Sequence, residues 1–205
     1  SITHGHIGYD WVSALRKKDD SKIYINAGIN ADLTWNLNER IDNIIKHNPD
    51  YITILIGTND AIGSQNIKHI QDYYVSTKGL PRLPHIDWYA SELEKFIIEI
   101  KSKTNAKIAI STLPWLGEQP KAEIISVVKL HNNIIRTLSD KYELTLIDLF
   151  KQFDEIIDIN RKINEIPYKS IGYKYSNELF RELLGNKEEH PQHNGSVNNM
   201  DWNGN

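Results

Sequence analysis

The chain contains no cysteine. That excludes a disulfide framework and thiolate chemistry of either kind, nucleophilic or metal-ligating. Nor is there an excess of positive charge: 24 Lys and Arg stand against 27 Asp and Glu, a net charge of −3. Without a concentrated basic face there is no electrostatic ground for nucleic-acid binding or for a polybasic membrane anchor. No apolar run approaches the roughly 20 residues of a membrane helix; the longest is of the length of YITILIG (51–57). His-Glu-x-x-His spacing and a Gly-rich phosphate loop are both missing, so no metal and no nucleotide or other cofactor is expected. No signal peptide is visible, yet a start at Ser rather than Met implies trimming. The compartment therefore stays open between cytoplasmic and secreted or periplasmic after processing.

What is present reads as one soluble globular domain: 205 residues, 40% hydrophobic and 25% charged, enough for a continuous core. Short apolar stretches alternate with amphipathic ones. Strands are expected at 22–28 (KIYINAG), in the apolar run of 50–60 (DYITILIGTND), at 106–112 and at 143–150. The run before Gly57 suits a parallel strand covered on both faces. Helices are expected at about 9–19, with Trp11, Val12 and Leu15 inward, and at 34–48, 87–105, 122–142 and 176–185. His131 falls on the apolar face of the fourth of these and reads as a packed core residue. No internal repeat is present. Strand–helix alternation indicates an α/β domain with a parallel sheet, whose ligands sit beyond the C-terminal strand ends. The loops of interest are thus 28–34, 57–66 and 113–120. Residues 63–86 are too long for an ordinary connection and suggest a lid-like insertion or a surface one. The polar tail 186–205 is expected to be disordered.

Three segments carry chemistry. Gly57-Thr58-Asn59-Asp60 follows the apolar strand directly; the Asn59 amide, fixed at a strand end, suits a developing oxyanion, although the same residues also form turns. Asn26-Ala27-Gly28 ends the preceding strand, where the Gly28 N–H can approach a ligand unobstructed. The opening Ser1-Ile2-Thr3-His4-Gly5, ahead of a helix, is similar to a nucleophile set in a strand-to-helix turn.

In this order, the three resemble the blocks of the SGNH (GDSL-type) hydrolase family. SITHG matches Gly-Asp-Ser-x-Thr-x-Gly from the Ser onward, Asn26-Ala27-Gly28 matches Asn-x-Gly, and Gly57-Thr58-Asn59-Asp60 matches Gly-x-Asn-Asp. STLPW (111–115) resembles the Thr-x-Pro that often follows. The resemblance spans about residues 1–184. It implies a flavodoxin-like three-layer α/β/α domain over 1–185 and a serine esterase or lipase working through an acyl-enzyme. Ser1 would be the nucleophile, and the oxyanion would be held by the Gly28 N–H, the Asn59 amide and the Ser1 N–H. Asp60, Tyr73, Tyr74 and Trp115 are candidates for contact with the substrate, an ester or an acylated carbohydrate or lipid. With Trp35 and Trp88, the aromatics either form a wall for it or pack ordinarily.

Two pieces of the family pattern are missing. No strand precedes Ser1, and none of the eight histidines has Asp three residues before it, so the Asp-x-x-His that supplies the general base is absent. His4 and His6 read as solvated loop residues, which leaves His190 and His193 as the late candidates. The expectation is a fold incomplete at both ends, with esterase activity weak or lost. Two other readings stay open: a non-catalytic binding module that kept the pocket, and an N-terminal-nucleophile hydrolase using the free amine of Ser1.

Overall fold

The computed structural model describes residues 2–5, 9–116 and 123–164, with 157–164 described by backbone alone. Ser1, His6, the helix expected at 176–185, the tail with His190 and His193, and part of the loop at 113–120 lie outside the described residues. The chain divides after Gly28 into two compact units, the second running from Ile29 to Tyr168.

In the first unit, α1 (Trp11–Lys18) starts where the Asp10 carboxylate caps the Ser13 N–H, the ordinary N-cap arrangement. Val12 is buried as expected, whereas Leu15 is exposed. The segment 22–28 forms no strand. Its carbonyls go to side chains instead: the Arg16 guanidinium donates twice to Tyr24 O, at 3.0 and 2.8 Å. The alternating Ile23 and Ile25 are both exposed, so a period-2 pattern here marks extended chain without a ladder.

The second unit contains a parallel sheet of three strands in the order β1 (Tyr51–Ile54), β2 (Lys107–Ser111) and β3 (Thr145–Ile147). Register runs from Tyr51 opposite Lys107 to Ile54 opposite Ile110, and from Ala109 opposite Thr145 to Ser111 opposite Ile147. The α/β class and the parallel sheet are those expected. β1 is shorter than the apolar run and lies at an edge of the described sheet, leaving Tyr51 66% exposed; burial on both faces belongs to its last residue, not to its length.

Before β1, the expected 34–48 helix is two pieces, α2 (Thr34–Asn38) and α3 (Ile41–Ile45). The break falls at Arg40, whose backbone leaves helical geometry (φ −124°, ψ 19°) as its guanidinium turns back to Asp32 at 3.0 Å. Between β1 and β2 lie α4 (Thr58–Gly63), α5 (Lys68–Lys78) and α6 (Ile86–Lys103). α5 occupies the stretch read as an insertion. It is closed by Gly79 in the left-handed region (φ 63°), a common helix stop, and it buries Tyr74 against Leu33, Leu80 and Trp88. On α6, Leu93, Phe96, Ile97 and Ile100 are buried, matching the periodicity. α7 (Glu123–Lys141) buries Ile125, Val128, His131, Ile135 and Leu138, and with them the polar Asn132 and Ser139. α8 (Leu149–Asn164) follows β3 at once, where no helix was expected. Among the described residues no helix is long and apolar enough to cross a membrane.

Candidate active site

The C-terminal end of β1 leads through Leu55 and Ile56 into Gly57, which has φ +120°, a conformation L residues rarely adopt. A Cβ there would lie 2.7 Å from the Tyr89 hydroxyl and 2.8 Å from its ring. Glycine thus lets the chain turn sharply from strand to helix against a buried tyrosine. Burial, and then the nearby Asp60 charge, push the Tyr89 phenol well above its ordinary range, so it stays neutral.

Asn59 therefore sits in the first turn of α4, not on the strand end expected. It is part-buried, and its amide is held at both ends. Nδ2 donates to the Asp32 carbonyl at 2.9 Å, and Oδ1 accepts from the Tyr74 hydroxyl at 2.8 Å. A side-chain amide has two N–H donors; among the described residues only one of these has an acceptor.

Asp60, expected at the substrate, is 6% exposed and turned inward. Both its oxygens accept from the Thr34 N–H at 3.2 Å, and Oδ2 from the Thr34 hydroxyl at 3.2 Å. Burial raises its pKa to about 7, against the lowering effect of the Thr34 bonds and with a small push from Glu92. Neighbouring residues of one motif thus grip the same loop, 31–34.

That loop has further ties. Ala31 is left-handed (φ 60°), strained for a residue with a Cβ. The buried Asp32 carboxylate pairs with Lys78 at 2.8 Å and Arg40 at 3.0 Å, and Lys78 also donates to Asn30 O at 2.8 Å. Sequence reasoning missed Asp32, Arg40 and Lys78. Their only signal is an acidic residue flanked by apolar ones, with nothing to say which cations meet it.

The loop after β2 is built as tightly. Asn132 on α7 accepts from the Leu113 N–H (2.7 Å) and donates to Leu113 O (3.1 Å). The Thr112 hydroxyl donates to Asp148 and accepts from the Phe150 N–H. Burial opposes ionisation of Asp148, but bonds from the Lys151 N–H, Arg136 and Thr112 outweigh it and leave its pKa below the ordinary value. Trp115 is buried and stacks on Phe150, centroids 5.6 Å apart. Of the expected aromatic wall, Tyr74 is 1% exposed and Trp115 is buried, so neither presents a face to a ligand. Part-exposed Tyr73 meets Tyr74 edge-on at 5.3 Å, and Trp35 tilts against Trp88 at 6.4 Å.

In the first unit, residues 3–4 run against Gly28. A Cβ on Gly28 would come within 2.6 Å of the His4 N, which is why the Asn-x-Gly block ends in glycine. Asn26 straps the two segments together, donating to Thr3 O at 2.7 Å, and His4 Nδ1 lies 3.1 Å from Gly28 O. The Gly28 N–H, expected to face an oxyanion, donates to Asn26 Oδ1 at 3.0 Å instead. Asn followed two residues later by a free N–H closes this local turn by itself. Of the other site residues, Ser1, His190 and His193 lie outside the described residues. His131 is fully buried; its Nδ1 bonds Val127 O at 2.8 Å, and Nε2 has no partner among the described residues. Burial lowers its pKa, against the Val127 bond, so it is a neutral core residue. Among the described residues, no group of three His or carboxylate side chains is placed to hold a metal.

The model of the GDSL-like lipase/acylhydrolase family matches residues 1–162. No curated protein matches the chain. Solved structures do. The acetyl xylan esterase AlAXEase superposes with a TM-score of 0.63 at 20% identity, over 90% of this chain and 94% of its own. The acetylxylan esterase Axe2 from Geobacillus stearothermophilus gives 0.59 at 16% identity, over 86% and 80%. LAE5, an alpha/beta hydrolase from the metagenome of Lake Arreo in Spain, gives 0.61 at 15% identity, over 86% and 80%. At these identities, the likeness is one of fold.

Proposed function

The chain belongs to the GDSL-like lipase/acylhydrolase family, carboxylic-ester hydrolases, and we propose that it works as a serine esterase whose oxyanion donor is the Asn59 amide. In this mechanism the Ser1 hydroxyl adds to the acyl carbon, the ester C–O bond breaks, and the alcohol departs with a proton. Water then releases the acid from the acyl-serine and restores the hydroxyl. The observation that carries the reading is the half-engaged amide of Asn59. With Nδ2 committed on one side to Asp32 O and Oδ1 to Tyr74, the remaining N–H has a fixed direction, and a preorganised donor needs no reorientation as charge develops. Gly28 serves in this scheme as the close-packing residue that lets Thr3 and His4 lie against the Asn26 turn. The general base is to be sought at His190 and His193. Acetylated saccharides are the first substrates to try, because two of the fold neighbours are described as acetyl xylan esterases.

The test is steady-state hydrolysis of p-nitrophenyl esters of increasing chain length and of acetylated xylo-oligosaccharides, with Asn59→Ala alongside. Loss of one oxyanion donor lowers kcat by about 10²–10³ with KM little changed. An Asn59→Ala rate equal to wild type would remove the reading. Saturable ester binding without turnover would identify a binding module in its place.

A further inference from the structure

We infer that α5, the helix of the supposed insertion, sets the orientation of the Asn59 amide, with Tyr74 and Lys78 as its positioning residues. This rests on Asn59 being the oxyanion donor. An Asn amide has a broad, nearly two-fold torsion, and its two faces are chemically opposite: rotated by half a turn it would aim lone pairs, not N–H, at an oxyanion. Its partners decide which way it stands. The Asp32 carbonyl can only accept, so Nδ2 must face it; Oδ1 then faces the Tyr74 hydroxyl, which donates at 2.8 Å.

The Asp32 carbonyl in turn belongs to a turn that is strained at left-handed Ala31. Lys78 spans that turn, gripping Asn30 O on one side and the Asp32 carboxylate on the other, each at 2.8 Å. Arg40 holds the same carboxylate as a second cation. Tyr74 and Lys78 are four residues apart on one face of α5, so a single rigid element fixes one end of the amide directly and the other through the loop. Asn36 adds to the hold, donating to Lys78 O at 2.9 Å while accepting from the Leu33 N–H at 3.1 Å.

The experiment combines kinetics on p-nitrophenyl acetate with amide exchange of the Asn59 side chain by ¹⁵N NMR. Tyr74→Phe, Lys78→Met and Lys78→Arg are each made alone, and Tyr74→Phe also in the Asn59→Ala background. Tyr74→Phe is expected to lower kcat about tenfold, with KM changed less than about twofold. It is expected to speed Asn59 side-chain exchange about tenfold. In the Asn59→Ala background it should cost nothing further, the signature of two groups acting as one. Lys78→Arg should recover most of what Lys78→Met loses, and Lys68→Met, which breaks an exposed pair with Asp72, should match wild type. A Tyr74→Phe loss of equal size in both backgrounds, or unchanged Asn59 exchange, would overturn the inference. Should Asn59→Ala leave kcat untouched, the oxyanion reading falls, and the exchange data still decide whether Tyr74 holds the amide.

Discussion

A side chain at position 57 would have to occupy space that Tyr89 already fills, with its Cβ 2.7 Å from the hydroxyl, and with the backbone at φ +120°. Gly57→Ala is therefore expected to lose about 3 kcal/mol from backbone strain and overpacking together, read as a fall in the urea midpoint. Tyr89→Phe in the same chain should relieve only the part due to the hydroxyl. At this scale the sequence was legible in kind and not in cause. The quartet at 57–60 stands out because polar residues follow an apolar run, and glycine in such a place announces a turn. That the obstacle is Tyr89, on a different helix, cannot be read from spacing. Asp60 shows the same gap: its type suits a ligand contact, yet the Thr34 N–H and hydroxyl pull it inward.

At the scale of elements, periodicity located α6 and α7 well because each buries a long apolar stripe. It said less about polar residues on the buried face. Asn132 sits there, fully buried, to satisfy both backbone groups of Leu113. Asn132→Ala leaves a buried N–H and C=O without partners, and should cost about 3 kcal/mol in unfolding free energy. Asn132→Asp keeps the acceptor for the Leu113 N–H but sets a second oxygen against the Leu113 carbonyl in a fully buried place. It should cost at least as much at neutral pH, as chemical denaturation will show. Segment 22–28 failed in the other direction: its alternation is that of a strand, but the side chains of Arg16 and Asn26, not a neighbouring strand, meet its backbone at Tyr24 O and Gly28 N–H. The 63–86 stretch has loop composition at its C-terminal end, with Gly79, Pro81 and Pro84, and these obscured the helix that precedes them.

For the whole molecule, two buried titratable groups tilt stability with pH in opposite senses. Asp60 has a folded pKa of about 7 against 3.8 in the unfolded chain. Between these values the folded state binds the extra proton, so stability falls as pH rises from about 4 to about 7, by a total on the order of 4 kcal/mol. His131 is held neutral by burial, below its ordinary 6.5, so its contribution is lost as pH falls through that range. Asp60→Asn should remove the first slope and leave the second. Urea unfolding from pH 4 to 8 is expected to show the wild type losing its advantage over the variant as pH rises, while the variant gains stability up to about pH 6.5. A pH-independent difference between the two proteins would contradict this.

The α/β class and parallel sheet were legible because hydrophobic alternation and three ordered motifs each point to them. The Asp32–Lys78–Arg40 cluster was not, since three charges brought together from a loop, a helix end and a helix break leave no pattern along the chain. That cluster bears on how such proteins can be recombined. A chimera given residues 29–34 from a relative with no acidic residue at 32, its own residues 68–78 kept, would leave Lys78 only the residue-30 carbonyl and set Lys78 and Arg40 side by side without their shared anion. The reverse graft would leave Asp32 with Arg40 as its one cation and release the loop carbonyl that Lys78 holds. The smallest portable module is therefore two segments distant in the chain, 29–40 and 68–78, and homologous exchange has to carry both or neither.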